Sequence, residues 1–297
     1  MSLTISPAAK KCYGIQRVCQ AWGIPRSTIY FEKRQRSVCL QNQKRGPKPS
    51  MTDQDLLESI RADLEESPFH GEGHRKVHAR LRHRKGLCVG RERIRRVMRE
   101  ARLLSPYRSA TGKAKAHDGR ITTDAPDIMW ATDGAKIMTV EDGWVWFFGI
   151  IEHWNAECLG WHICKKGDRF AAIEALTMGV HSRYGSTQPD IARGLKLRMD
   201  HGSQFSSEHF LRQVRYWGIS PSFGFVKEPE TNGVIERFHR TLKEQVIHGR
   251  IYRNIEELRS CVNTFIRKYN QSWLLEKLGY MSPAEARASW EAKRAIA

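Results

Sequence analysis

Three acids in this sequence stand where ordinary structure does not ask for one. Asp133 lies mid-strand in "WATDGAK", where acids are depleted. Asp200 ends the run "GLKLRMD" and is followed by "HGSQF", a turn that would leave its carboxylate at a sheet edge. Glu236 lies early in the amphipathic stretch "TNGVIERFHRTLKEQ". One such acid alone reads as a helix cap or a salt-bridge partner; three, in a basic chain, call for a joint explanation. A phosphodiester resists attack because it is anionic and its leaving alkoxide is poor. Two hard cations on either side of the phosphate, roughly 3.5–4 Å apart, activate the incoming oxygen and stabilise the outgoing one. Mg2+ prefers carboxylate oxygens and water, and Mn2+ is its expected substitute. One aspartate would bridge both ions, and the other two acids would hold one each.

The helix bearing Glu236 fits that chemistry. At 100° per residue, Arg240 and Lys243 fall within about 40° of Glu236. Ile235, Phe238 and Leu242 gather on another face and would pack on a sheet. Arg240 and Lys243 are expected to contact DNA phosphates beside the metal. The alternative, an i,i+4 pair between Glu236 and Arg240, is worth only about 0.2–0.5 kcal/mol and leaves the two aspartates unexplained.

The elements that must position these acids run from residue 121 to about 290. "DIMWATDGAKIMTV", the turn "EDG" and "WVWFFGIIEHW" read as a hairpin, and "ECLGWHICKK" as a third strand. "DRFAAIEALTMGVHSRYG" is a helix opened by Asp168 and ended by glycine, and "SSEHFLRQVRYWG" is a helix with a serine cap. "ISPSFGF" is a candidate last strand, and "NIEELRSCVNTFIRKYNQSW" a long closing helix. A meander followed by alternating helices and strands implies an α/β domain, a mixed sheet with helices packed on it.

The first 120 residues differ in kind. They hold 27 Lys and Arg against 11 Asp and Glu, a net of +16, whereas the remaining 177 residues carry a net of only +2. That asymmetry points to a polyanion gripped by the front of the chain. Residues 10–36 read as helix, turn, helix, with Gly23 breaking the first helix and Pro25 suiting the start of the second. Arg26, Ser27 and Thr28 then lie at the start of that second helix, the part of a recognition helix that meets the major groove and its phosphates. A Pro-, Gly- and Lys-rich linker follows, and Thr52 with Asp55 resembles a capping box for the acidic helix 53–66. Residues 70–104 form a second helical pair. In its latter helix Ile94, Val97, Met98 and Ala101 make one apolar face, and Arg91, Arg93, Arg95, Arg96 and Arg99 cover the rest. Phosphate contact is their expected role. His70, His74 and His78 recur near Cys88, but the paired CxxC of a zinc site is missing and the histidines read as solvent- or phosphate-facing.

No apolar run approaches a membrane span, the longest being "WVWFFGII", and "MSLTISPAAKKCYG" has no signal-peptide core. Seven cysteines, an odd number, read as reduced thiols. A cytoplasmic protein is expected.

"WATD", "MDHGSQF" and "TNGVIERFHRTLKEQ", in that order, resemble the DDE motif of transposases and retroviral integrases. The match is closest to the OrfB-type transposases of bacterial insertion-sequence family three. "LGYMSPAEA" (278–286) is similar to that family's C-terminal signature, and residues 68–106 to the helix-turn-helix before its integrase core. The resemblance implies a ribonuclease-H-like, five-stranded mixed sheet flanked by helices, preceded by two all-α helix-turn-helix units. The implied domains are a first helix-turn-helix at 1–45, a linker and acidic helix at 46–66, a second basic helix-turn-helix at 67–120, a catalytic core at 121–290 and a tail at 291–297. The implied ligands of two Mg2+ ions are Asp133, Asp200 and Glu236, and the implied reaction is cleavage by water, then joining by the freed 3′-hydroxyl. The implied partners are double-stranded DNA, further copies of the chain on that DNA, and an upstream-frame (OrfA-like) protein or fusion, all at the bacterial nucleoid. A nuclease that cuts without joining, and a DNA-binding regulator without activity, are the alternative readings. One departure stands out: where the family has Arg and His after "YN", this chain has Trp273 and Leu275.

Overall fold

In the computed structural model the residues described are 3–37, 51–106, 121–224 and 233–296. Residues up to Met51 form one compact unit and Thr52 onward another. In the first unit, α1 (Ile15–Ala21) and α2 (Arg26–Ser37) make the expected helical pair, with Gly23 at φ +63° in the turn. Arg26, Ser27 and Thr28 open α2 and are exposed.

The second unit begins with three helices, α3 (Asp53–Glu66), α4 (His74–His83) and α5 (Arg91–Glu100). Thr52 and Asp55 form the reciprocal capping box that starts α3. Leu56, Ile60, Val77, Leu81, Ile94, Val97 and Met98 are buried among them. Arg80 is buried too, and its guanidinium forks onto Asp63 and Glu72. Pairing of this kind is what makes a buried charge tolerable.

The sheet comprises β1 (Met129–Thr139), β2 (Gly143–Glu152), β3 (Cys158–Cys164), β4 (Lys196–Met199) and β5 (Ser220–Phe223), in the order β3-β2-β1-β4-β5. β1, β2 and β3 pair antiparallel, while β4 runs parallel to both β1 and β5. This is the ribonuclease-H-like arrangement. Both faces are covered, so the continuous apolar run of β2 is required and is not a membrane signal. One face packs on α6 (Arg169–Tyr184), the short α7 (Ser203–Ser206) and α8 (Glu208–Tyr216); the other packs on α9 (Gly233–Leu242) and α10 (Ile255–Ser272). Gly160 on β3 lets α6 approach closely: a Cβ there would lie 2.3 Å from the carbonyl oxygen of Ala175. Asp168, Ser207 and Asn254 cap α6, α8 and α10 through their side chains. α9 continues into a π-helical turn, Lys243–Ile247. A final helix, α11 (Pro283–Ile296), runs without a break past residue 290.

α3–α5 are fastened to the core. Phe69 meets Trp273 edge to face at 4.8 Å, and Gln245 both accepts from His70 N–H at 2.9 Å and donates to its carbonyl at 2.7 Å.

Candidate active site

Strand alternation decides which way the aspartates point. Trp130, Leu197 and Met199 belong to the α6–α8 core, and Ala131 and Ile137 to the α9–α10 core. Side chains alternate along a strand, so Asp133, Arg198 and Asp200 all project toward α9. Parallel pairing of β1 with β4 ends at Ala131–Arg198. Asp133 lies two residues beyond that last pair on β1, and Asp200 follows directly after Met199, the last residue of β4.

Asp133 sits opposite Gly149 of β2 and accepts its neighbour Gly134's N–H through Oδ1 at 2.8 Å. Its Oδ2 lies 3.3 Å from Nδ1 of His239 on α9. His239 is buried, with its ring edge-on to Phe147. Gly149 opposite Asp133 leaves room for the Phe147 ring, which a Cβ there would approach to 3.0 Å. Asp200 accepts from Gly202 N–H at 2.9 Å through Oδ1. Glu236 is exposed on the first turn of α9, while Ile235, Phe238 and Leu242 are buried as the helical wheel requires. Arg240 and Lys243 are exposed, and among the described residues Glu236 forms no ion pair with Arg240.

The donors suit a hard divalent ion: Asp200 Oδ2 and both oxygens of Glu236 have no protein partner among the described residues, and no sulfur competes. The three carboxylates are not drawn onto one point, however. Among the described residues no group of three His, Cys, Asp or Glu side chains is arranged to hold a metal. Asp133 lies on β1, Asp200 directly after β4, and Glu236 on α9.

Two residues at this site had no role assigned from the sequence. His239 follows Glu236 by three, a spacing that puts both on neighbouring parts of one helix surface. Arg198, two residues before Asp200 on the same face, is buried and donates from Nη1 to Ser222 Oγ at 3.1 Å, while its Nε and Nη2 meet no acceptor among the described residues. Its burial pushes its pKa down. A lone arginine in a strand gives no sequence signal of this kind.

The arginines of α5 are placed less simply than their composition suggested. Arg93 and Arg96 reach Asp53 of α3 at 2.8 and 2.6 Å, Arg95 and Arg91 pair with Glu92, and Arg96 also meets Glu100. Arg99 is exposed at the C-terminal end.

The sequence matches two family models, described as an HTH-like domain over residues 52–111 and an integrase core domain over residues 217–283. It is 27% identical over 290 residues to the transposase for insertion sequence element IS629 of Shigella sonnei, covering 94% of this chain and 93% of that one. It is also 27% identical over 241 residues to the transposase InsD for insertion element IS2 of Escherichia coli, covering 78% of each. The chain is a homologue of insertion-sequence transposases. Among solved structures, this transposase homologue is similar to the catalytic core domain of BIV integrase, with TM-score 0.43, 18% identity, and coverage of 57% of this chain and 98% of that one. It is also similar to the HTLV-2 integrase catalytic core domain in complex with magnesium, with TM-score 0.38, 17% identity, and coverage of 50% and 89%. The integrase core match begins beyond Asp133 and Asp200 and includes Glu236. Trp273, which departs from the family's end motif, is an anchor for α3–α5 in this chain. No helix among the described residues is long and apolar enough to cross a membrane.

Proposed function

We propose that this transposase acts on double-stranded DNA at the ends of its insertion sequence through Asp133, Asp200 and Glu236. The enzyme is of the DDE transposase and integrase type, as its relatives and its integrase core domain indicate. The observation that supports the site is the order of its elements: Asp133 on β1, Asp200 directly after the neighbouring β4, and Glu236 on α9, the helix packed on the sheet. Asp133, Asp200 and Glu236 would hold Mg2+, with Mn2+ as substitute, and the ions would supply Lewis acidity to the scissile phosphate. The chain's own residues do the rest. His239 fixes the Asp133 carboxylate, and Arg240 and Lys243 hold phosphates along the helix surface next to Glu236. Arg26, Ser27 and Thr28 of α2 and the outward arginines of α5 grip duplex DNA. Water is the nucleophile for cleavage and the freed 3′-hydroxyl the nucleophile for joining. Two ends must be held together, so at least two copies act on one DNA.

A strand-transfer assay tests this. The protein is given Mg2+ or Mn2+ and duplexes bearing candidate element ends. Joined products should form with wild type and vanish with Asp200→Asn while DNA binding persists. Cleavage without joining would make the chain a nuclease, and binding with no chemistry under either metal would make it a regulator.

A further inference from the structure

A cleft of about 450 Å³ lies beside α9, on the flank opposite Glu236, between that helix, α4 and residues 273–280. Its size falls within the roughly 300–1,000 Å³ of small-ligand sites. The floor is aromatic, formed by Phe238, Tyr269 and Trp273, all buried. The walls are cationic: Arg75 comes from α4, Arg237 from α9 and Lys277 from the loop after α10. Glu276 is the one acid among its described lining residues, and it is held by Arg75 at 2.8 Å. The positive charge converges: burial, Lys277, Arg198 and Arg237 together push His153, beside the cleft, down to about 4.

Tyr280 closes the mouth. It is half-buried and has φ +66°, a left-handed conformation that a bulky residue adopts only when its surroundings impose it. The loop does impose it: Tyr280 N–H donates to Leu275 O at 2.9 Å, and Leu275 bridges to Met281. Tyr280 lines this cleft and also a second one, where Arg82 and Arg91 of the helix-turn-helix-like unit stand with Glu92 and Glu276. Trp273 cannot serve as an open stacking surface, because Lys76 Nζ sits 2.7 Å from its ring centre. Tyr280 is the aromatic surface left for a ligand.

A strained aromatic at the edge of a basic cleft, next to the proposed catalytic helix, matches one ligand chemistry. We propose that this cleft holds an unpaired nucleotide of the DNA, its base stacked on Tyr280 and its phosphate on Arg237 and Arg75. The proposal rests on the transposase reading for the identity of the polymer. It adds that the DNA is opened, at one nucleotide at least, on its way from α4 and α5 to the carboxylates. Base–aromatic stacking is indifferent to sequence, so the site needs no particular base.

The test compares a blunt duplex with the same duplex carrying a five-nucleotide single-stranded overhang, by fluorescence anisotropy at fixed salt. Wild type should prefer the overhang on the order of tenfold. Tyr280→Leu should bring that ratio close to one, Tyr280→Phe should keep it because stacking needs the ring and not the hydroxyl, and Arg237→Ala, an exposed position, should lower it. 4-Thiothymidine in the overhang should crosslink within residues 273–280. Equal affinity for both DNAs in wild type, or a preference undiminished in Tyr280→Leu and Arg237→Ala alike, would overturn the proposal. Strand transfer is scored separately: transfer without overhang preference removes only the cleft, and preference without transfer removes only the catalytic reading.

Discussion

His239 gives Asp133 a direction. A carboxylate on a strand rotates freely unless something holds it, and Asp133 is held at both oxygens, by Gly134 N–H and by the His239 ring. The imidazole is fixed in turn by burial against Phe147. Groups that orient a metal-binding carboxylate commonly matter about 10–100-fold when removed. His239→Ala is therefore expected to slow strand transfer by about that factor and to raise the metal concentration needed for half-maximal rate. His239→Asn, whose side-chain amide can still meet the Asp133 carboxylate, should recover part of both. A slower rate with an unchanged metal requirement would mean that His239 only fills space. Asp133 stood out in the sequence because an aspartate in mid-strand needs a reason, and the structure does place it within β1. His239 did not, because its partner is 106 positions away and only the packing of α9 on β1 and β2 joins them.

At the scale of elements, local rules carried a long way. The capping box at Thr52, the caps at Asp168 and Ser207 and the α9 wheel stand as their residue types require. The wheel stops holding at Lys243, where α9 turns π-helical; no local signal in "TLKEQV" marks that change, and Gln245 is held there by the backbone of His70. The arginine-rich α5 shows the same boundary. Five arginines against two glutamates read as an open basic face, but Asp53, from the first turn of α3, neutralises part of it. Arg96 and Arg93, as hydrogen-bond donors, hold the Asp53 carboxylate below its usual range. Asp53→Asn should remove the carboxylate that competes with DNA for Arg93 and Arg96, with Arg96 still meeting Glu100. Duplex affinity should rise, and its log–log dependence on salt should steepen by up to about 0.9 for each phosphate newly neutralised. An unchanged salt slope would show that these two arginines face no phosphate, leaving Arg91, Arg95 and Arg99 to supply the contacts.

At the scale of the whole second unit, distant elements are tied together by charges that no sequence window contains. Arg287 of α11 reaches Glu157 at 2.6 Å, Asp127 at 3.4 Å and Glu152 at 3.6 Å, and Arg183 of α6 holds Asp127 at 2.6 Å. Three carboxylates thus share two guanidinium groups, and the most deeply buried of the three, Glu152, is the one disfavoured as an anion. It accepts from Asp127 N–H, Trp130 Nε1–H and Trp154 N–H, which favour its charge. Burial outweighs them and pushes it up to about 7 from an ordinary 4.5. The sign of the consequence follows from linkage. A group whose folded pKa is raised binds its proton more tightly when folded, so its contribution to stability is complete below the unfolded value and is lost as pH rises through the folded one. Thermal stability should therefore fall between about pH 5 and pH 8. Glu152→Gln, which keeps the shape and cannot ionise, should flatten that decline even where it lowers stability at pH 5, because its amide meets the Trp154 N–H as a second donor. Melting curves of both proteins across this range decide the matter. If the two decline in parallel, Glu152 is already ionised at pH 5, and the three N–H donors with Arg287 have outweighed burial after all.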